Sequence, residues 1–192
     1  MWTGHYEDLF LISPSGDSGT LEALTNTADI FESHPTWSPD ATRLAYQKAY
    51  RADPEVPGLL YEIWIHDFTT GESARVDLGG PFSNSDLALV TLNWARTQDK
   101  IAFAGITSGY YDIWVVDLAD PANPVQLTND PSEDFVFPSW SPDDSEIVYQ
   151  KGGRLSSDYS EIWKMNADGS GKTLLVKPSK GLYKATFPDW KR

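Results

Sequence analysis

Seven of the eight Trp residues recur at one period. Trp37, Trp94, Trp140 and Trp190 are separated by 57, 46 and 50 residues, and Trp64, Trp114 and Trp163 by 50 and 49, with Phe10 extending the second series upstream by 54. A period of about 50 residues calls for one supersecondary unit per repeat, each burying its apolar face against the next.

The flanking residues repeat as well. HPTWSPDATRLAYQK (34–48) aligns with FPSWSPDDSEIVYQK (137–151), and LNWARTQDKIAFAG (92–105) is a divergent copy. The second anchor reads EDLFLIS, YEIWIHD, YDIWVVD and SEIWKMN, and Leu24-Thr25 and Leu127-Thr128 each stand the same distance before the next Trp. In the copy from residue 90, four runs rich in Val, Ile, Tyr, Trp and Phe cover 90–94, 100–105, 111–117 and 124–128. Turn residues separate them, and no ten-residue window carries a helical stripe. Four strands per repeat predict an all-β fold, a β-propeller of four-stranded antiparallel blades. The expected blades are a partial one at 1–25, complete ones at 34–78, 90–128 and 137–176, and a partial one at 184–190 within a single propeller spanning 1–192.

P-x-W-S-P-D-x-x-x-I, then D/E-I-W-x-x-N/D, then N-A-D-G-S-G, then L-T resembles the TolB-type, WD-repeat-like propeller repeat over essentially the whole chain, best at 137–171. The usual Gly after Ser-Pro-Asp is replaced by Ala41 in one copy and Asp144 in another, and the third copy has Ala95, Arg96 and Thr97 instead of the motif. A left-handed turn suits Asp144 better than Ala41, so the first turn is expected to differ. The resemblance implies a non-catalytic interaction module, periplasmic or extracytoplasmic. Similar blades also form the propellers of prolyl-oligopeptidase-type peptidases and of some sugar-degrading enzymes.

Composition narrows the partners. Lys plus Arg is 15 and Asp plus Glu is 28, for a net charge of −13, which disfavours nucleic acid and anionic membrane surfaces. No apolar run is long enough for a membrane span, and the start, MWTGHYEDLFLIS, does not read as a signal peptide. The absence of Cys removes disulfides, thiolate metal sites and Cys nucleophiles.

Several motif look-alikes have plainer readings. Gly169-Ser170-Gly171-Lys172-Thr173 matches the end of a phosphate loop, but Asn166 stands where Gly is required and a strand, not a helix, is expected next. Gly16-Asp17-Ser18-Gly19 matches a protease nucleophile loop, yet His5, His34 and His66 lack the matching context. None of these His has metal-ligand spacing, and Asp130-Pro131-Ser132-Glu133-Asp134 lacks a calcium-loop pattern, so it reads as a solvated acidic loop. No cofactor and no catalytic residue is expected.

One blade is split between the termini and lacks its second strand. Three arrangements follow: a segment of a larger propeller, a ring completed by another chain, or an irregular four-bladed ring. Open blade faces and strand edges favour self-association, so the chain is expected not to be a stable isolated monomer. The long loops share one face of the meander, where function concentrates on rigid scaffolds. They carry Phe31, His34, Tyr50, Arg51, Phe82, Tyr110, Tyr111, Glu133, Asp134, Phe135, Arg154 and Tyr159, a mixture suited to a protein or peptide partner. The function read from sequence is a non-catalytic binding scaffold. The alternatives are a propeller segment of a larger enzyme, or a structural subunit that assembles through blade edges.

Overall fold

A computed structural model of the chain describes residues 7–13, 21–51, 59–82, 89–106, 109–152, 160–178 and 186–190. A two-stranded ladder comes first, β1 (Phe10–Leu11) with β2 (Glu22–Ala23). Three antiparallel four-stranded meanders follow. The first holds β3 (Ile30–Trp37), β4 (Arg43–Tyr50), β5 (Leu60–Asp67) and β6 (Glu72–Arg75). The second holds β7 (Leu89–Trp94), β8 (Lys100–Ile106), β9 (Tyr111–Asp117) and β10 (Val125–Gln126). The third holds β11 (Phe135–Trp140), β12 (Glu146–Lys151), β13 (Glu161–Asn166) and β14 (Thr173–Val176). Apart from a short 3-10 turn at Gly80–Phe82, the described elements are all strands. The fold is an all-β propeller of about four blades.

The central blade shows why both faces of each strand must be apolar. Ile101 and Phe103 pair with Val116 and Trp114, and these four side chains join Ala45 and Ile63 of the preceding blade in one core. The alternate residues Ala102 and Ala104 pair with Val115 and Ile113 and join Trp140, Ile147 and Tyr149 of the following blade in another. The period-2 pattern is therefore apolar on both sides, as in any sheet covered on two faces. Trp94 and Trp140 are only 1% and 2% exposed, and each buried aromatic removes roughly 150–250 Å² from water.

The Leu-Thr pair at the fourth strand has a physical role. Leu127 N–H donates to Ile113 O at 2.8 Å, while Thr128 Oγ1 accepts from Ile113 N–H at 2.8 Å. Leu24 and Thr25 treat Leu9 in the same way, both at 2.8 Å. A Thr hydroxyl thus replaces a ladder carbonyl, which is why the run expected at 124–128 contains only a two-residue strand. Asp112 accepts the Thr128 hydroxyl at 2.8 Å and the Gln126 amide at 3.0 Å. Burial raises its pKa, opposed by those two donors and reinforced by Asp130 and Asp134.

The expected difference at the first turn is absent. Ala41 and Asp144 both take left-handed backbone, at φ 55° and 57°. Ser38 and Asp40 close one turn, Ser141 and Asp143 the other, with the same hydroxyl-to-carboxylate bond at 2.6 and 2.7 Å. This network holds the turn even where Ala lacks a reason to be left-handed, at a cost of about 1–2 kcal/mol.

Candidate functional site

The innermost strands share a backbone feature. The residue three before each anchoring Trp is left-handed in all four copies: His34 at φ 54°, Thr91 at 62°, Phe137 at 57° and Phe187 at 52°. The ladder register shifts at the same places, between Ser33 and Thr36, Val90 and Leu92, and Val136 and Ser139. These are β-bulges, which re-aim side chains and bend a strand. Left-handed backbone at four non-glycine residues stores strain of a kind that gathers at functional sites. A proline follows three of them, Pro35, Pro138 and Pro188, and has no N–H to give to a ladder. The recurring x-Pro-x-Trp pattern was the available signal.

The bulges surround one cavity of about 430 Å³, to which three successive inner strands and the segment 187–189 contribute. Thr36 comes from β3, Thr91 and Asn93 from β7, Phe137 and Ser139 from β11, and Phe187 and Asp189 from the segment after β14. Four consecutive blades can meet one space only near the propeller axis. The residue before each Trp locks neighbouring blades together there. Thr36 Oγ1 accepts from Trp94 N–H at 3.0 Å, and Asn93 Oδ1 from Trp140 N–H at 2.8 Å. At the next boundary Ser139 Oγ donates to Asp189 at 2.7 Å, and Trp190 Nε1 donates to Ser139 O at 3.0 Å. Phe187, 69% exposed, packs on Phe137 with ring centroids 4.4 Å apart. Arg96 also lines the cavity; its guanidinium lies 3.9 Å from Asp189 and makes no hydrogen bond among the described residues.

Among the described residues, those expected from sequence differ in exposure. Phe82, Tyr111, Asp134 and Phe135 are buried, where the expectation had them on an exposed loop face. Phe82 packs edge-on to Phe103 and Trp114, at 5.4 and 4.7 Å, in the space where Gly105 has no side chain. Asp134 accepts the Tyr111 N–H at 2.9 Å, fastening one blade's loop to the next, so the 130–134 segment is not simply a solvated loop. Phe31 and Tyr50 are half-buried at the outer end of β3 and β4, where Tyr50 donates to Glu62 at 3.0 Å. Burial works against the charge of Glu62, but donors from Trp64, Arg75 and Tyr50 outweigh it and lower the pKa. Arg51 and His34 are exposed, Tyr110 and Glu133 half-buried. Arg154 and Tyr159 lie outside the described residues, as do His5 and the Gly16–Gly19 look-alike.

A second space of about 510 Å³ lies between the second and third blades, lined by Phe135, Tyr149, Lys151 and Trp163. Lys151 sits 5.8 Å from the Phe135 and Trp163 rings and 3.9 Å from Asp130, so its charge is already shared. Gly169, left-handed at φ 84°, forms the turn before β14, where the phosphate-loop look-alike would need a helix. Among the described residues no three His, Cys, Asp or Glu side chains converge as metal ligands would.

No protein-family model matches the sequence, and no curated protein matches it. Solved structures do resemble it. A TolB-assigned protein of Agrobacterium tumefaciens matches with a TM-score of 0.66 and 19% identity, over 87% of this chain and 55% of that one. TolB from Acinetobacter baumannii matches at 0.63 and 18%, over 85% and 36%. An oligogalacturonate lyase in complex with manganese matches at 0.59 and 18%, over 87% and 48%. The chain therefore spans about half or less of each of these proteins. At such identities the likeness establishes architecture, and that architecture is a TolB-like β-propeller fold.

Proposed function

We propose that the chain is a non-catalytic propeller scaffold that binds a protein or peptide segment at its axial cavity. The observation that carries this reading is the row of three bulges with the left-handed Phe187, which together with Arg96 bring aromatic, hydroxyl, amide and guanidinium groups into one space. The cavity pairs a polar lining, Thr36, Asn93, Arg96, Ser139 and Asp189, with the Phe137 and Phe187 rings, so it can orient a ligand through polar groups and hold an apolar part against the rings. The site thus moves from the long-loop face to the inner strands and the Arg96 turn. By resemblance alone, the compartment is periplasmic or extracytoplasmic.

The test is selection of a random heptapeptide library, displayed with free C-termini, against the full chain. Binding lost on Phe187→Ala but kept on Arg51→Ala and Tyr110→Ala supports the axial site. Loss only with the latter pair returns the site to the loop face, and no enrichment removes the peptide-binding reading.

A second reading, association through blade faces, is favoured by Trp37. It is 47% exposed where Trp94 and Trp140 are 1% and 2% exposed, and it stacks on Phe68, itself 36% exposed, at 5.2 Å. Light scattering across a concentration series tests this: a constant species near 21.4 kDa excludes association. The propeller-segment alternative would place any catalytic domain outside this chain, and a hydrolase domain in the same polypeptide would establish it.

A further inference from the structure

We infer that the axial cavity receives the free C-terminal carboxylate of a peptide with an apolar last residue, a refinement that rests on the peptide-binding reading above. The carboxylate pairs with Arg96, and the last side chain lies against Phe187 and Phe137.

Arg96 is held in place by the following blade, because its backbone N–H donates to Asp144 at 2.6 Å. Its side chain is 33% exposed and reaches the cavity. Asp189 is the acidic group beside it, at 3.9 Å, beyond hydrogen-bond distance. The nearer Asp189 oxygen already accepts from Ser139 Oγ at 2.7 Å and from Trp190 N–H at 2.9 Å. The guanidinium shares its charge with Asp189 but gives it no hydrogen bond, so its planar fork of N–H donors is left for a ligand and matches a carboxylate in two parallel bonds.

The neighbouring apolar group fits the same ligand. Phe187 is 69% exposed yet fixed against Phe137 at 4.4 Å. An exposed ring that lines the same cavity as the cation is suited to anchoring one apolar side chain.

The geometry favours a chain end over a passing strand. Pro35, Pro138 and Pro188 line the cavity, and proline donates no N–H for strand pairing. Recognition therefore falls to side chains. A volume of about 430 Å³ is at the small end for ligand sites and takes an end residue.

The experiment titrates the isotope-labelled full chain with acetyl-Gly-Gly-Phe as the free acid and as the C-terminal amide, followed by amide NMR shifts. The expected result is shifts at Arg96 and Phe187, with the acid at least about tenfold tighter than the amide, a difference of about 1.4 kcal/mol. Arg96→Gln, with an unchanged melting temperature, should bring the acid down to the amide's affinity. Equal binding of acid and amide at these residues overturns the carboxylate assignment while leaving axial peptide binding intact. Shifts confined to other surfaces overturn the site. Absence of binding by either form, followed by failure of the displayed library, overturns both readings.

Discussion

The backbone N–H of Arg96 reaches the Asp144 carboxylate across a blade boundary at 2.6 Å. Thr97 adds its own N–H at 2.8 Å and its hydroxyl at 2.6 Å. Asp144 is 3% exposed and left-handed at φ 57°. The acceptor thus stands at the position where the repeat ordinarily has Gly, and its donors come from the one copy that lost Ser-Pro-Asp. The two departures answer each other: a turn without its own Asp is capped by a carboxylate from the next blade.

This separates two substitutions that look alike. Ala41→Gly relieves left-handed backbone and removes no hydrogen bond, so it should stabilise by up to about 1 kcal/mol. Asp144→Gly relieves the same backbone but removes three charge-assisted bonds, for a net loss of about 2–4 kcal/mol. Urea unfolding of the two variants checks the pair. An Asp144→Gly chain as stable as the parent would mean that the cross-blade cap contributes nothing.

The axial locks should behave as single acceptors. Asn93→Ala leaves the Trp140 N–H, otherwise bonded at 2.8 Å, without a partner beside a Trp that is 2% exposed. The expected cost is about 1–3 kcal/mol. Asn93→Asp keeps an oxygen in place and should cost less. Likewise Thr36→Val should destabilise, and Thr36→Ser should not, because only the hydroxyl accepts from Trp94. Thermal melts of the four variants measure the contrast.

Gly105 and Phe82 form a coupled pair. The sister positions of Gly105 hold Lys48 and Lys151, each with its ammonium over a neighbouring Trp ring, at 4.0 and 5.8 Å. In the central blade Phe82 occupies that space, and a Cβ on Gly105 would come within 2.8 Å of its ring. Gly105→Ala should cost about 1–3 kcal/mol through overpacking, and Phe82→Ala about 3–5 kcal/mol through the cavity it leaves. Together they should cost less than the two effects added, with a coupling of at least about 1 kcal/mol in a double-mutant cycle. Simple additivity would contradict the packing.

Strand positions were legible in the sequence because Trp recurs about every 50 residues within short runs rich in Ile, Val and Tyr, on strands buried on both faces. The Leu-Thr pair was visible as a motif, but its role as a substitute carbonyl needed the geometry of Ile113 and Leu9. The proposed axial cavity was not legible because residues before the Trp differ in type, Thr36, Asn93, Ser139 and Asp189, while sharing a position. What the copies conserve there is a bulge, and a bulge has no fixed side chain. The burial of several long-loop residues was not legible for a related reason. Phe82, Tyr111 and Phe135 sit where loops enter strands, and at a blade boundary such aromatics are drawn into the core. Nothing in composition separates an aromatic that faces a neighbouring blade from one that faces a partner.

Acid should weaken the first turns in a defined window. Three hydrogen bonds from Ser38 and Thr42 lower the pKa of Asp40 from 3.8 to about 2, and bonds from Ser141 and Ser145 do the same for Asp143. A carboxyl group whose pKa is depressed by folding contributes stability that is complete above its unfolded value, here near pH 4. That contribution is lost as the pH falls through the folded value near 2. Both carboxylates are exposed, so solvent screens the effect and only its direction is expected to be large enough to read. Asp40→Asn and Asp143→Asn keep an acceptor oxygen and remove the charge. The combined variant should be less stable than the parent above pH 4, and the gap should close steadily between pH 4 and pH 2. Denaturant midpoints taken across that range decide it; a gap that stays constant to pH 2 would show that the turn carboxylates do not contribute through their charge.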